Sequence, residues 1–142
     1  MEIPNIVIDT NVIIAAQRSQ RGASAKLMSL VGTDRFRIHL SVPLVLEYEA
    51  VLRRQIKALK LTQENVTDLI DALCALSHHQ KIYFRWRPQL RDLKDEFVLE
   101  LAVAARCRYI VTYNQRDFVG VEKFGIEAIT SKDFLKKIGE LK

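Results

Sequence analysis

Six residues near the start, Ile6-Val7-Ile8-Asp9-Thr10-Asn11, constrain the chain more than any other stretch. Three consecutive β-branched residues read as a short strand buried on both faces. An acid follows at once, then two small polar residues, then the apolar run Val12-Ile13-Ile14-Ala15-Ala16 that begins a helix. A doubly buried strand turning straight into a helix is a unit of an open α/β sheet, where ligands bind beyond the carboxyl ends of the strands. Asp9 falls at that edge, and Thr10 or Asn11 is placed to cap the helix. A plain turn or cap is the other role open to Asp9, and the rest of the chain has to decide.

The same alternation continues. Helices are expected over 11–17 and 23–31, a strand over 36–40, and a helix over 43–58 with Ser41 as its cap and Pro43 in its first turn. Leu44, Tyr48, Val51 and Leu52 fall on one side of that helix. A helix over 62–77 opens on Thr62-Gln63-Glu64-Asn65, and alternation over 80–86 predicts a half-buried strand. A helix over 95–107, a buried strand over 109–112 and a loop or single turn over 114–118 follow. A strand over 126–129 and a closing helix capped by Ser131 complete the chain. Strand and helix alternate throughout, which predicts a mostly parallel sheet with helices on both faces. No repeat or linker interrupts the pattern, so residues 1–142 are expected to form one domain.

Nearly half the residues, 49%, are hydrophobic, which places the chain among globular rather than disordered proteins. No apolar run is long enough to span a membrane, and no secretory leader is visible. Cys74 and Cys107 belong to no ligand pattern and read as reduced core residues of a cytoplasmic protein. The net charge of +5 is consistent with a polyanionic partner.

The acids fall at segment junctions. Asp9 ends the first strand and Glu47 sits one turn into the helix after the second. Asp92 and Asp95 lie where a later helix begins, and Asn114 and Asp117 follow the strand over 109–112. In a parallel sheet these positions share one edge. Each has a plainer role as a cap, a solvated helix residue or a turn. Taken together they suggest a carboxylate cluster. Such a cluster raises its own pKa values by mutual repulsion and usually holds a hard cation. Oxygen ligands suit Mg²⁺ or Mn²⁺; His39, His78 and His79 lie elsewhere, which disfavours zinc. Phosphodiester hydrolysis is the chemistry suited to that site.

At these positions the sequence resembles the PIN domain nucleases, and within them the VapC-like toxins of toxin–antitoxin pairs. The resemblance rests on Ile8-Asp9-Thr10-Asn11, on 41–52 with Glu47, on 92–102 with Asp95, on 109–118, and on the ending over 125–134. It implies a three-layer α/β/α fold with a five-stranded parallel sheet, Mg²⁺- or Mn²⁺-dependent ribonuclease activity, a homodimer and an antitoxin that blocks the site. Asp9, Glu47 and Asp95 match the family's acidic triad. The fourth position, often Asp, is Asn114 here, and Asp117 is the candidate to supply its charge and ligand. Thr10 and Asn11 are expected to orient Asp9. Asp92 and Glu100 are further acids to which the resemblance assigns no role.

Other readings fare less well. A phosphatase of the haloacid dehalogenase type needs a second Asp where Asn11 stands. A Rossmann domain needs a glycine-rich first turn, which is missing here. A non-catalytic RNA- or protein-binding module on the same fold is the alternative from another class. For an RNA substrate, Arg85-Trp86-Arg87 with Arg91, and Arg18 with Arg21, are candidate phosphate contacts, and Trp86 either stacks on a base or is an ordinary sheet residue. The helices over 43–58 and 62–77 carry apolar surface enough to meet a second copy, which suggests a two-fold dimer.

Overall fold

The computed structural model describes residues 2–81, 90 and 93–142. Asp92, the stretch Arg85-Trp86-Arg87, Arg91 and most of the strand expected over 80–86 lie outside those residues. The described residues form a five-stranded parallel sheet in the order β3-β2-β1-β4-β5. Its strands are β1 (Asn5–Ile8), β2 (Arg37–Leu40), β3 (His78–His79), β4 (Tyr109–Val111) and β5 (Glu127–Ile129). Seven helices are described: α1 (Thr10–Arg18), α2 (Ala23–Ser29), α3 (Val42–Arg54), α4 (Ile56–Leu59), α5 (Gln63–Leu76), α6 (Leu93–Ala104) and α7 (Ser131–Lys137).

β1 is central, flanked by β2 and β4, and Ile6, Val7 and Ile8 are at most 2% exposed. Burying each such side chain contributes roughly 1.5–3 kcal/mol, so the first apolar run anchors both layers. Chain order runs outward from β1 to β2 and β3, then returns past β1 to β4 and β5. Right-handed crossovers therefore put the helices between β1 and β3 on one face and α6 on the other. The contacts agree: α1 packs on α2 and α3, α3 on α5, and α6 on β1, β2 and β4. The reversal of direction leaves a crevice between the carboxyl ends of β1 and β4, the usual ligand position in an open parallel sheet. Asp9 stands directly after β1 and Thr112 directly after β4.

Several boundaries differ from the sequence pattern. The helix expected over 43–58 is divided at Gln55, whose N–H reaches the carbonyls of both Val51 and Leu52 and whose side chain accepts from Arg18. β3 lies at His78–His79, ahead of the alternating stretch; its register pairs His39 with His78, and their rings stack 5.2 Å apart. α7 is capped by Thr130, not Ser131: the Thr130 hydroxyl accepts from the Asp133 N–H at 3.2 Å. Ser131 turns inward instead and bonds Ser24 at 2.9 Å. α5 carries a capping box, with Thr62 and Asn65 satisfying each other's N–H groups. Edge-to-face contacts of Phe134 with Phe36 and Tyr109 pack α7 against the sheet.

Candidate functional site

Asp9 has extended backbone geometry and is the N-cap of α1. The cap is therefore Asp9 itself rather than Thr10 or Asn11, because the helix starts one residue after the strand ends. Its side chain is 7% exposed, an unusual place for a carboxylate unless its oxygens are satisfied. They are. One oxygen accepts from the Thr10 N–H at 2.9 Å. The other accepts from the Thr112 hydroxyl at 2.8 Å and from the Asn11 amide at 3.4 Å.

These partners cross-link the two strand ends. The Thr112 hydroxyl also accepts from the Asn114 N–H at 3.0 Å, and the Asn11 oxygen accepts from the Tyr113 N–H at 3.2 Å. Asn11 thus orients Asp9 as expected. Thr10 does so through its backbone only, since its hydroxyl donates to Glu47. Thr112 is the stronger side-chain partner and was not singled out in the sequence. A hydroxyl at the end of the second buried strand was the signal available.

Glu47 lies one turn into α3, half-buried, and Thr10 joins it to Asp9. The neighbouring Tyr48 is fully buried and donates to the Ile8 carbonyl, which pins α3 to the end of β1. Burial, and then the charges of Asp9 and Glu47, push the Tyr48 phenol well above its ordinary pKa, so it remains a donor. Asp117 lies exposed on the 3-10 turn Gln115–Phe118, and its N–H reaches the Asn114 carbonyl at 3.0 Å. Asn114 takes part through backbone groups: its N–H bonds Thr112 and its carbonyl closes that turn. Asp95 is half-buried in the first turn of α6, and the packing of α6 on β1 and β4 sets its position.

The Asp9 carboxyl is raised above the ordinary Asp range. Burial is the largest cause, opposed by the bonds from Thr112 and Thr10, with the charges of Glu47 and Asp117 adding smaller upward pushes. Repulsion within the cluster is thus present, but desolvation outweighs it. The described contacts bring Asp9, Glu47, Asn11 and Thr112 together and set Asp117 within electrostatic reach.

Among the described residues no three Asp, Glu, His or Cys side chains are gathered closely enough to hold a metal ion by themselves. Mg²⁺, however, usually takes one or two protein carboxylates and completes its shell with water and phosphate oxygens. Asp9 and Glu47, joined through Thr10, fit that donor set. A cation here would relieve the cost of a buried, raised carboxyl.

A second pair of acids lies deeper on α6. Glu96 is 2% and Glu100 7% exposed, one helical turn apart, and the Leu90 N–H donates to Glu96. Burial, and then the Glu96 charge, raise Glu100 to about 7. A carboxyl raised above its unfolded value of roughly 4.3 contributes stability that is fully present below that value and lost as pH rises through about 7. The melting temperature should therefore fall between about pH 4.5 and 7 and level off above that, and Glu100→Gln should flatten that fall. An equally steep fall in the variant would assign it to other groups.

The matching PIN domain family model covers residues 5–116. Comparison of the sequence with curated proteins finds no match. Among solved structures, a chain of VapBC2 from Rickettsia felis, bound to a DNA fragment from the promoter, is similar at 12% identity and a TM-score of 0.60. The likeness covers 89% of this chain and 98% of that one. VapBC-1 from nontypeable Haemophilus influenzae is similar at 14% identity and a TM-score of 0.61, over 90% of this chain and 98% of that one. With the strand order, the carboxylate at the crevice and the span of the family match in agreement, the chain belongs to the PIN domain family.

Proposed function

We propose that the protein is a divalent-metal-dependent endoribonuclease and the toxin of a toxin–antitoxin pair, acting in the cytoplasm as a homodimer. The observation that carries the reading is the Asp9 carboxylate, buried at the β1/β4 crevice, oriented through both oxygens and joined to Glu47 through Thr10. Membership of the PIN family and similarity to two VapBC structures support the nuclease and the antitoxin partner. Among the described residues no helix is long and apolar enough to cross a membrane.

A bound Mg²⁺ or Mn²⁺ ion supplies activation of water and stabilisation of the leaving oxygen. The chain's part is positional. Asp9 and Glu47 would hold the ion, with Asp95 and Asp117 as the further acids that would complete the ligand set. Thr112 and Asn11 hold the Asp9 carboxylate in one orientation, and Tyr48 fixes the helix that carries Glu47. Titration of Mg²⁺ and Mn²⁺ against cleavage of a single-stranded RNA is the test. Metal-dependent cleavage abolished by chelation is expected. RNA binding without cleavage at any metal concentration would favour the non-catalytic module.

The fourth site position is separately testable. Asp117 supplies a charge that acts on Asp9, whereas Asn114 acts through its backbone. Asp117→Ala should weaken Mn²⁺ binding more than Asn114→Ala. The reverse order would make Asn114 the ligand and Asp117 a turn residue.

A further inference from the structure

Tyr113 lies between Thr112, which holds Asp9, and Asn114. It is 46% exposed, although its hydroxyl bonds the Ser24 hydroxyl at 2.5 Å. Ser24 is 2% exposed and bonds Ser131, which is fully buried. The polar tip of the side chain thus closes a buried chain of three hydroxyls linking α2, α7 and the β4 loop. With the hydroxyl so engaged, we read the exposure of Tyr113 as that of its aromatic ring. Its backbone is tethered as well, through the Tyr113 N–H to Asn11.

A single exposed apolar side chain is ordinary, and exposure alone would carry nothing. The combination here differs: a flat ring held at both ends, one residue from the group that orients the buried carboxylate. A ring fixed in advance loses little conformational entropy when something stacks on it. Exposed Arg116, on the turn that also carries Asp117, puts a cation close by in sequence. An aromatic face with a cation nearby is the usual device for holding single-stranded nucleic acid, each base stacking by its π-face while the cation meets the backbone. We propose that Tyr113 is a stacking platform for one base of a single-stranded RNA, next to the phosphate presented to Asp9, and that it contributes to the choice of cleavage position. The inference rests on the RNA reading above.

Binding, measured without divalent metal, tests it independently of hydrolysis. The probe is a fluorescent single-stranded RNA whose nucleotides are replaced one at a time by abasic residues. Tyr113→Leu removes the ring, and Tyr113→Phe keeps the ring while removing the bond to Ser24. Stacking predicts that Tyr113→Leu weakens binding about tenfold or more and that Tyr113→Phe, which keeps the ring but frees its tip, loses only a small part of that. It also predicts one abasic position that weakens the original protein but adds no further loss to Tyr113→Leu. Equal losses for Leu and Phe would make Tyr113 a positioning residue acting through Ser24 and overturn the proposal. So would additive losses at every abasic position, or no change with Leu. If binding follows the stacking pattern but no metal supports cleavage, the nuclease reading fails and the platform stands. Circular dichroism and melting of both variants distinguish loss of the ring from loss of the fold.

Discussion

Replacing Asp9 by Asn is expected to lower RNA cleavage by ~10³-fold or more, because a catalytic metal supplies several kcal/mol and each 1.36 kcal/mol is about tenfold. The fold should survive. Asn is as good an N-cap as Asp, and its oxygen still accepts from the Thr10 N–H. Stability should hold or rise in the metal-free protein. The Asp9 pKa is raised in the folded state, chiefly by burial. That carboxyl therefore contributes stability present below its unfolded pKa and lost as pH rises through its folded one. Above that window the buried charge is a cost that Asn removes. Mn²⁺ should raise the melting temperature of the original protein by mass action and leave the variant nearly unmoved. A folded Asp9→Asn protein that cleaves at near-normal rate would remove Asp9 from the site. A variant that melts lower, with Mn²⁺ shifting neither protein, would reduce Asp9 to a helix cap.

The parts legible in the sequence are those set by a local pattern. Ile6-Val7-Ile8 and 109–112 are apolar runs, and a run of that kind followed by a polar turn has few places other than the middle of a parallel sheet. The places of Asp9 and Glu47 were legible too, since Asp9 ends the first such run and Glu47 lies one turn into the helix that Ser41 and Pro43 announce. β3 was not: two histidines at the sheet edge carry no apolar signal, and pairing with His39 and Leu40 decides their conformation. The cap of α7 went to Thr130 because β5 ends at Ile129 and the chain is still extended at 130, a boundary that neighbouring Thr and Ser leave open. Thr112 was hidden for another reason. It meets Asp9 across 103 residues of sequence, and only the adjacency of β1 and β4 brings them together. The cause of the Asp9 shift was hidden likewise. Spacing suggests neighbouring charge, but depth of burial is a property of the finished packing.

That long-range bond gives the second large effect. Thr112 is fully buried, and Val has nearly its shape, so Thr112→Val removes an oxygen without opening a cavity. Three groups lose a partner at once: the Asp9 carboxylate its 2.8 Å donor, the Asn114 N–H its 3.0 Å acceptor and the Asn11 amide its 3.4 Å acceptor. The bond from Thr112 lowers the Asp9 pKa, so its loss should raise that pKa further. Less of Asp9 is then ionised on the acidic side, and the acid limb of the pH–rate profile should move to higher pH. The carboxylate is also freer to rotate, and loss of such an orienting partner typically costs 10–100-fold in metal affinity or activity. A fall of about that size is expected, with apo stability lower by roughly 1–3 kcal/mol for the polar groups left unsatisfied. Thr112→Ser keeps the hydroxyl and should recover most of the rate and the original pH limb. That recovery separates a bond to Asp9 from a packing role for the methyl group. Thr112→Val with an unchanged rate and pH limb, or Thr112→Ser as defective as Val, would mean that the hydroxyl does not govern the Asp9 carboxylate.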